Sequence, residues 1–259
     1  MDRKEIINDY YQNYDEENRL TRDNTHNIEL YITQNYINKY LKEHDKILEI
    51  GAGTGRYSIY FASKGYDVTS VEYVKHNLDI LKSKITKDMK ITPILGDAIN
   101  LKELEDNTYD LTLVLGPLYH LYDEKDIDSA ISEAIRVTKK KGIIMIAYIT
   151  SDSVFANWAL DHLLDGYPND FDKNFKLVRY SEGIFASFYV SEFEEIMQKY
   201  PVTFLHDVAT DGIAKLIEDR LNNLTKEEFE VWKRYQLSVC ERRDLIGYSS
   251  HMLYICRKD

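Results

Sequence analysis

Between residues 46 and 148 the hydrophobic pattern switches repeatedly between two periods, and this alternation limits the possible folds more than any other feature of the chain. Lys46–Ile50, Asp67–Glu72, Ile91–Leu95, Tyr109–Leu115 and Gly142–Tyr148 are short, largely apolar runs, as expected of strands covered on both faces. Arg56–Lys64, closed by Gly65, Val74–Thr86 and Glu124–Val137 instead space their apolar residues as helices do. Leu101–Leu104 predicts a short turn or helix, and Pro93 marks the third strand as one that tolerates a lost donor. Strands alternating with helices specify βαβ units, and hence a parallel sheet with helices on both faces. Right-handed crossovers bring the C-terminal ends of those strands to one edge, where open α/β sheets bind their ligands.

The flanking segments read differently. Residues 2–22 form polar, acidic helical turns carrying Tyr10, Tyr11 and Tyr14. Residues 25–42 predict an amphipathic helix with Ile28, Tyr31, Ile32, Ile37, Tyr40 and Leu41 on its apolar side and Thr25 as its cap. The βα rhythm stops after Tyr148. Residues 151–200 are helical or irregular and rich in aromatics: Phe155, Trp158, Tyr167, Phe171, Phe175, Phe185, Phe188 and Tyr189. They predict an insertion folded over the ligand-binding edge, the alternative being helices that only pack. Strand character returns at Val202–Val208, a charged helix follows over Thr225–Arg242, and Ser250–Arg257 alternates as a last strand. The expected division is 1–44, an N-terminal helical segment; 45–150, the core; 151–200, the insertion; and 201–259, the completion of the sheet.

Charge and cysteine content narrow the function classes. The chain has 44 acidic and 33 basic residues, a net charge of −11, which argues against nucleic acid as a partner because phosphate contacts need clustered Lys and Arg. The one basic run, Lys139–Lys141, reads as a solvated turn after a helix. Cys240 and Cys256 match no metal-ligand spacing and are expected to be free thiols in a reducing compartment. No metal site is expected, because the His, Asp and Glu spacings match no ligand pattern. The N-terminus lacks the apolar core of a signal peptide, and no run is long enough to span a bilayer. A cytoplasmic protein without membrane contact, a monomer or homodimer, is therefore expected.

The segment most informative about chemistry is Glu49-Ile50-Gly51-Ala52-Gly53-Thr54-Gly55-Arg56, which leaves a strand and opens a helix. Its glycines let the backbone turn sharply and approach a ligand. A dinucleotide-binding loop would place its third glycine at position 56, where this chain has arginine. Glu49 would repel a pyrophosphate and attract an α-ammonium group. Glu72, ending the second predicted strand, is placed to accept both hydroxyls of a ribose. Asp97, in Gly96-Asp97-Ala98 after the third, can accept from an adenine amino group. Carboxylates at successive strand ends, with no phosphate-binding lysine, describe an adenosine joined to a zwitterion and make a nicotinamide dehydrogenase the weakest reading.

In these motifs the chain resembles the class I S-adenosylmethionine-dependent methyltransferases, firmly over residues 45–150 and more loosely elsewhere. The resemblance implies a doubly wound, mostly parallel, seven-stranded Rossmann-like α/β sheet with an N-terminal helical lid and a helical cap insertion. It implies S-adenosyl-L-methionine as cofactor and S-adenosyl-L-homocysteine as product. By the same resemblance Glu49, Gly51, Ala52, Gly53 and Gly55 face the methionine moiety, Glu72 the ribose and Asp97 the adenine, with Tyr73 and Ala98 flanking the ring. Leu115 ends the strand beside the reactive sulfonium. Gly116-Pro117-Leu118-Tyr119-His120 is similar to a subgroup acting on small molecules and departs from the Asn-Pro-Pro-Tyr signature of enzymes that methylate base or amide nitrogens.

Methyl transfer from a sulfonium chiefly needs alignment, with a base only where the acceptor holds its proton. His120 is the candidate base and Tyr119 the candidate positioning residue; packing of a strand–helix turn is the competing role for His120. His251 reads as structural. Tyr11 and Tyr14 are candidates to close over the cofactor, or aromatic packing residues. Arg19 either binds the cofactor carboxylate or an acidic substrate, or pairs with Glu16 or Glu17. The expected reaction is methylation of O, N or C of a small metabolite. A peptide, protein or RNA acceptor, and a non-catalytic cofactor-binding regulator, are the alternatives.

Overall fold

The computed structural model of the chain describes residues 3–158, 171–178 and 184–259. Tyr167, one of the aromatics assigned to the insertion, and the side chain of Trp158 lie outside the described residues. The strands are β1 (Lys46–Ile50), β2 (Asp67–Glu72), β3 (Ile91–Leu95), β4 (Tyr109–Val114), β5 (Thr138–Ile149), β6 (Val202–Ala209) and β7 (His251–Lys258). They form one seven-stranded sheet in the order β3-β2-β1-β4-β5-β7-β6. β1 pairs in parallel with β2 and β4, β2 with β3, and β4 with β5, while β7 runs antiparallel to both β5 and β6. The order reverses at β1, so the crevice at the C-terminal ends of β1 and β4 is the ligand position such a sheet provides.

Alternation along the strands builds a core on each face. Leu48, Ile50, Val71, Val114, Ile144 and Ile146 belong to one buried cluster. Their odd-parity or even-parity neighbours Ile47, Val68, Leu111, Leu113 and Met145 belong to the other, as a two-residue side-chain period requires. Helix α5 (Glu124–Val137) packs Ile127, Ile131 and Ala134 into the first cluster. Helices α2 (Asn24–Tyr40) and α3 (Arg56–Ser63) supply Ile28, Ile32, Ile37 and Phe61 to the second.

Three local features differ from the sequence expectation. Asp23, not Thr25, caps α2, its carboxylate accepting from the His26 backbone N–H at 2.9 Å. A carboxylate is the stronger cap, and Thr25 instead donates its hydroxyl to Asn222 at 3.0 Å. Lys139–Lys141 does not form a separate turn, because β5 already begins at Thr138. Thr138 pairs with Tyr109, its hydroxyl is bonded to Thr112 at 2.6 Å, and Lys139 Nζ reaches Asp110 at 2.7 Å. Within the segment 151–200, Phe188 and Phe193 lie wholly in the core beneath the sheet rather than over its edge. Phe193, on α7 (Val190–Met197), stacks on Tyr148 at 4.1 Å between ring centroids.

Among the further helices, one precedes this core and one lies within it. α1 (Arg3–Asn13) lies across the edge formed by the strand C-termini, and α4 (Lys75–Ser83) joins β2 to β3. Among the described residues no helix is long and apolar enough to cross a membrane. Both cysteines are free and buried.

Candidate functional site

A cavity of about 360 Å³ opens at the C-terminal ends of β1, β2, β3 and β4. Its floor is the loop after β1. Gly51 has φ +78°, and a Cβ there would lie 2.5 Å from Cδ of Pro117, so only glycine fits between the two loops. The Gly51 and Ala52 N–H groups donate to the Val71 carbonyl at 2.8 and 3.1 Å, tying the loop to β2.

Glu72 leaves β2 toward this floor and is 5% exposed. One carboxylate oxygen accepts from the Gly53 N–H at 2.7 Å and the other from the Val74 N–H at 2.7 Å. The Asn77 side chain bonds the same carboxylate, which leaves it one further acceptor position among its four lone pairs. Burial raises the Glu72 pKa to about 7 against those bonds. Asp97 and Tyr73 line the same end, and Arg3 of α1 occupies both: its guanidinium bonds the Asp97 carboxylate and lies 5.4 Å from the Tyr73 ring centroid. Ala98 and Leu115 complete this wall.

Glu49 stands one layer lower. It is 2% exposed, accepts from the Ser58 hydroxyl, and burial pushes its pKa up to about 8. With Ala52 and Thr54 it lines a small chamber of about 40 Å³ that shares Gly51, Glu16, Arg19, Leu115, Tyr119 and His251 with the main cavity. Gly55 lines neither space; it caps α3 at φ +86°, packed against Leu81.

The 3-10 turn Pro117–His120 carries the candidate catalytic pair. His120 is 8% exposed, and its Nδ1 donates to the Ile184 carbonyl at 2.7 Å. That bond leaves Nε2 as an acceptor, and the Tyr11 hydroxyl donates to it at 3.0 Å. Burial lowers the His120 pKa to about 4, so the ring is neutral. Tyr10, Tyr14 and Phe185 close the aromatic roof: Tyr10 stacks on Tyr14 at 5.2 Å and meets Phe185 edge-on at 5.6 Å. Tyr119 is buried, with its ring 5.8 Å from that of His251.

Arg19 does not pair with Glu17. Its guanidinium makes two bonds to Glu29 of α2, at 2.9 and 3.2 Å, and a longer one to Glu16 at 3.5 Å. His251 belongs to the same network, donating from Nδ1 to Asp211 at 2.8 Å and lining the cavity beside Tyr119. Burial pulls its imidazole pKa down, but Glu29 and Asp211 outweigh that and hold it above the ordinary value. The sequence gives no local signal for Arg3, Glu29 or Asp211, whose partners lie far along the chain. The clustering of Tyr10, Tyr11 and Tyr14 was a visible signal for the roof.

The methyltransferase domain family model matches residues 48–146, which hold β2 to β4, most of β1 and β5, the glycine loop, Glu72, Asp97 and the Pro117–His120 turn. A putative methyltransferase, YqeM, of Bacillus subtilis is 28% identical over 133 residues, 47% of this chain and 53% of that protein. A demethylmenaquinone methyltransferase of Paenarthrobacter aurescens is 30% identical over 130 residues, 49% of each chain. The chain thus spans about half the length of the relatives it matches. Among solved structures, a SAM-dependent methyltransferase from Methanosarcina mazei superposes with a TM-score of 0.58 at 19% identity, covering 86% of this chain and 96% of that one. Phosphoethanolamine N-methyltransferase 1 of Haemonchus contortus gives 0.62 at 14% identity, covering 98% of this chain and 48% of that one. At these identities the structural likenesses establish the fold.

Proposed function

We propose that the chain, whose residues 48–146 match the methyltransferase domain model, is a class I S-adenosylmethionine-dependent enzyme methylating O, N or C of a small acceptor. The observation that carries this reading is the placement of Glu72 and Asp97 on one cavity wall above a loop in which Gly51 cannot carry a Cβ. The residues fit S-adenosyl-L-methionine. The remaining Glu72 acceptor position would take a ribose hydroxyl, Asp97 the adenine amino group, and Tyr73 and Ala98 the ring faces. Glu49, Glu16 and the Gly51–Gly53 backbone would surround the ammonium end, with Arg19 the nearest cation for the carboxylate. When bound, the cofactor supplies an electrophilic methyl group on a sulfonium.

The chain's own groups then orient the acceptor and remove its proton. Tyr10, Tyr11, Tyr14 and Phe185, as a lid on the N-terminal side and the start of a cap on the other, exclude water from the cavity. Tyr119 and Leu115 hold the acceptor against the end of β4. The Tyr11 hydroxyl, which donates to His120 Nε2, would pass its proton to that nitrogen and take the acceptor proton in exchange as the acceptor atom takes the methyl group. The neutral ring fits a base that acts in concert with transfer rather than one that ionises the acceptor beforehand.

Calorimetry with S-adenosylmethionine and S-adenosylhomocysteine, with NAD as control, tests the cofactor half of the reading. Binding of both at micromolar or tighter affinity without NAD binding supports it, and failure of folded protein to bind either refutes it. Labelled-methyl transfer to metabolite extracts, peptide pools and total RNA tests the acceptor half. Label in peptide or RNA alone would reject a small acceptor.

A further inference from the structure

The wall of the cavity away from Glu72 and Asp97 has a distinct order of charges. Arg22, His26, Lys215 and His251 line it. The carboxylates that pair with them do not line it: Asp23 lies 3.5 Å from Arg22 and 2.6 Å from His26, Glu218 lies 2.7 Å from Lys215, and Asp211 lies 2.8 Å from His251. At these four positions nitrogen atoms line the cavity and their carboxylate partners do not, whereas Glu16, beside Arg19, does line it. The members are linked side to side, since Arg22 donates to His26 Nε2 at 2.5 Å and Lys215 lowers the pKa of His26, while Glu29 is stabilised by both His251 and His26.

Donors remain after these pairings. Arg22 has five N–H groups, of which two are bonded to His26, from Nη2 and from the Nε that also faces Asp23; Lys215 has three, of which one is bonded to Glu218. His251 commits Nδ1 to Asp211 and lines the cavity, and in its protonated form Nε2 is a second donor. A guanidinium, an ammonium and an imidazole fronting one cavity, each held by a carboxylate that does not line it, form a receptor for an oxyanion.

We propose that Arg22, Lys215 and His251, with His26 orienting Arg22, form an oxyanion subsite, so that the acceptor methylated in this cavity bears a carboxylate or phosphate group. This rests on the methyltransferase reading and names the substrate class for it. The same corner offers a competing ligand chemistry, because oxygens of Asp23 and Glu218 and a nitrogen of His26 lie within 4.8 Å of one another. Arg22 and Lys215 already neutralise those carboxylates and would repel a metal ion, which favours the anion.

The test uses full-length protein saturated with S-adenosylhomocysteine and labelled at its histidine rings for NMR. Inorganic phosphate and acetate are titrated in separately at fixed ionic strength, with zinc chloride as a third arm. The expected result is a saturable shift of the His26 and His251 ring signals with at least one anion, and the stronger of the two identifies phosphate or carboxylate. Arg22→Gln and Lys215→Met should each weaken it by about tenfold, the loss of one partly exposed charge-assisted contact. Lys215→Arg should retain it. Anion titrations that leave both rings unmoved, shifts equal in Lys215→Met and wild type, or a response to zinc alone would overturn the proposal. Failure to bind S-adenosylhomocysteine, measured first, would instead remove the methyltransferase reading beneath it.

Discussion

The proposed pairing of Glu72 with a ribose hydroxyl predicts that the affinity for S-adenosylhomocysteine depends on pH. Burial puts the carboxyl near a pKa of about 7 in the empty protein, despite donation from Gly53 and Val74. A ribose hydroxyl can donate to the one remaining position only while both oxygens accept, so binding selects the ionised form. One pH unit below the pKa roughly a tenth of the protein is ionised, a penalty of about 1.4 kcal/mol or a factor of about ten in Kd. Affinity for S-adenosylhomocysteine should therefore fall about tenfold between pH 8 and pH 6 and flatten above pH 8. Isothermal titration at constant ionic strength, in two buffers of different ionisation enthalpy, measures both the slope and the proton released. Glu72→Gln should weaken binding at pH 8 by about tenfold to a hundredfold, a charged acceptor being replaced by a neutral one, and should abolish the slope. A wild-type Kd that is constant from pH 6 to pH 8, or a slope that survives in Glu72→Gln, refutes the assignment of Glu72 to the ribose.

Further expectations follow from the same groups. Gly51→Ala places a methyl group 2.5 Å from Pro117 at φ +78°, so thermal unfolding should show a loss of about 1–3 kcal/mol together with weaker ligand binding. Unfolding also depends on Glu49, whose pKa rises from 4.5 unfolded to about 8 folded. The folded state holds the proton longer, so the Glu49 contribution is present in full below pH 4.5 and is lost as pH rises through 8. Differential scanning fluorimetry should show Tm falling across that window, and Glu49→Gln should flatten the slope. Arg3→Ala frees Asp97 and the Tyr73 ring for the adenine and should tighten S-adenosylhomocysteine binding; weaker binding would make Arg3 a ligand contact instead. Once an acceptor is known, His120→Gln should lower kcat while leaving the Kd for S-adenosylhomocysteine unchanged, and the wild-type rate should show no titration near pH 6.5 arising from His120, whose pKa is about 4.

How much of this was legible in the sequence depends on how far apart the interacting groups lie. β1 to β4 were readable because strands covered on both faces are apolar runs, and the loop Gly51–Gly55 with Glu72 and Asp97 sits at their ends. Those site residues need only a strand and its register to be placed. The start of β5 was hidden because Lys139 and Lys141 have the composition of a turn. What makes the segment a strand is pairing with β4, including the Thr112–Thr138 hydroxyl contact across 26 residues. The tertiary part of the site was hidden for the same reason. Arg3 meets Asp97 across 94 residues, and Asp211 meets His251 across 40, in pairs that no local pattern announces. The aromatics of 184–197 misled in the opposite direction, since an aromatic run serves a roof at Phe185 and a core at Phe188 and Phe193 alike.

The net charge of −11 is a poor guide to the sign of the cavity. On the wall facing the adenosyl ligand, burial drives Glu72 and Glu49 toward their neutral forms, so those acids carry less charge than the sequence credits to them. Elsewhere along the cavity, Arg22, His26, Lys215 and His251 line it while their partners Asp23, Glu218 and Asp211 do not. A net acidic chain is thus compatible with a cavity that accepts a single oxyanion at close range, because net charge is summed over the whole chain whereas short-range recognition depends on the atoms within a Debye length of the ligand. If the acceptor proves to be neutral or cationic, that ordering has no role in recognition, and Arg22 and Lys215 should then be replaceable by neutral residues with no rise in the acceptor KM.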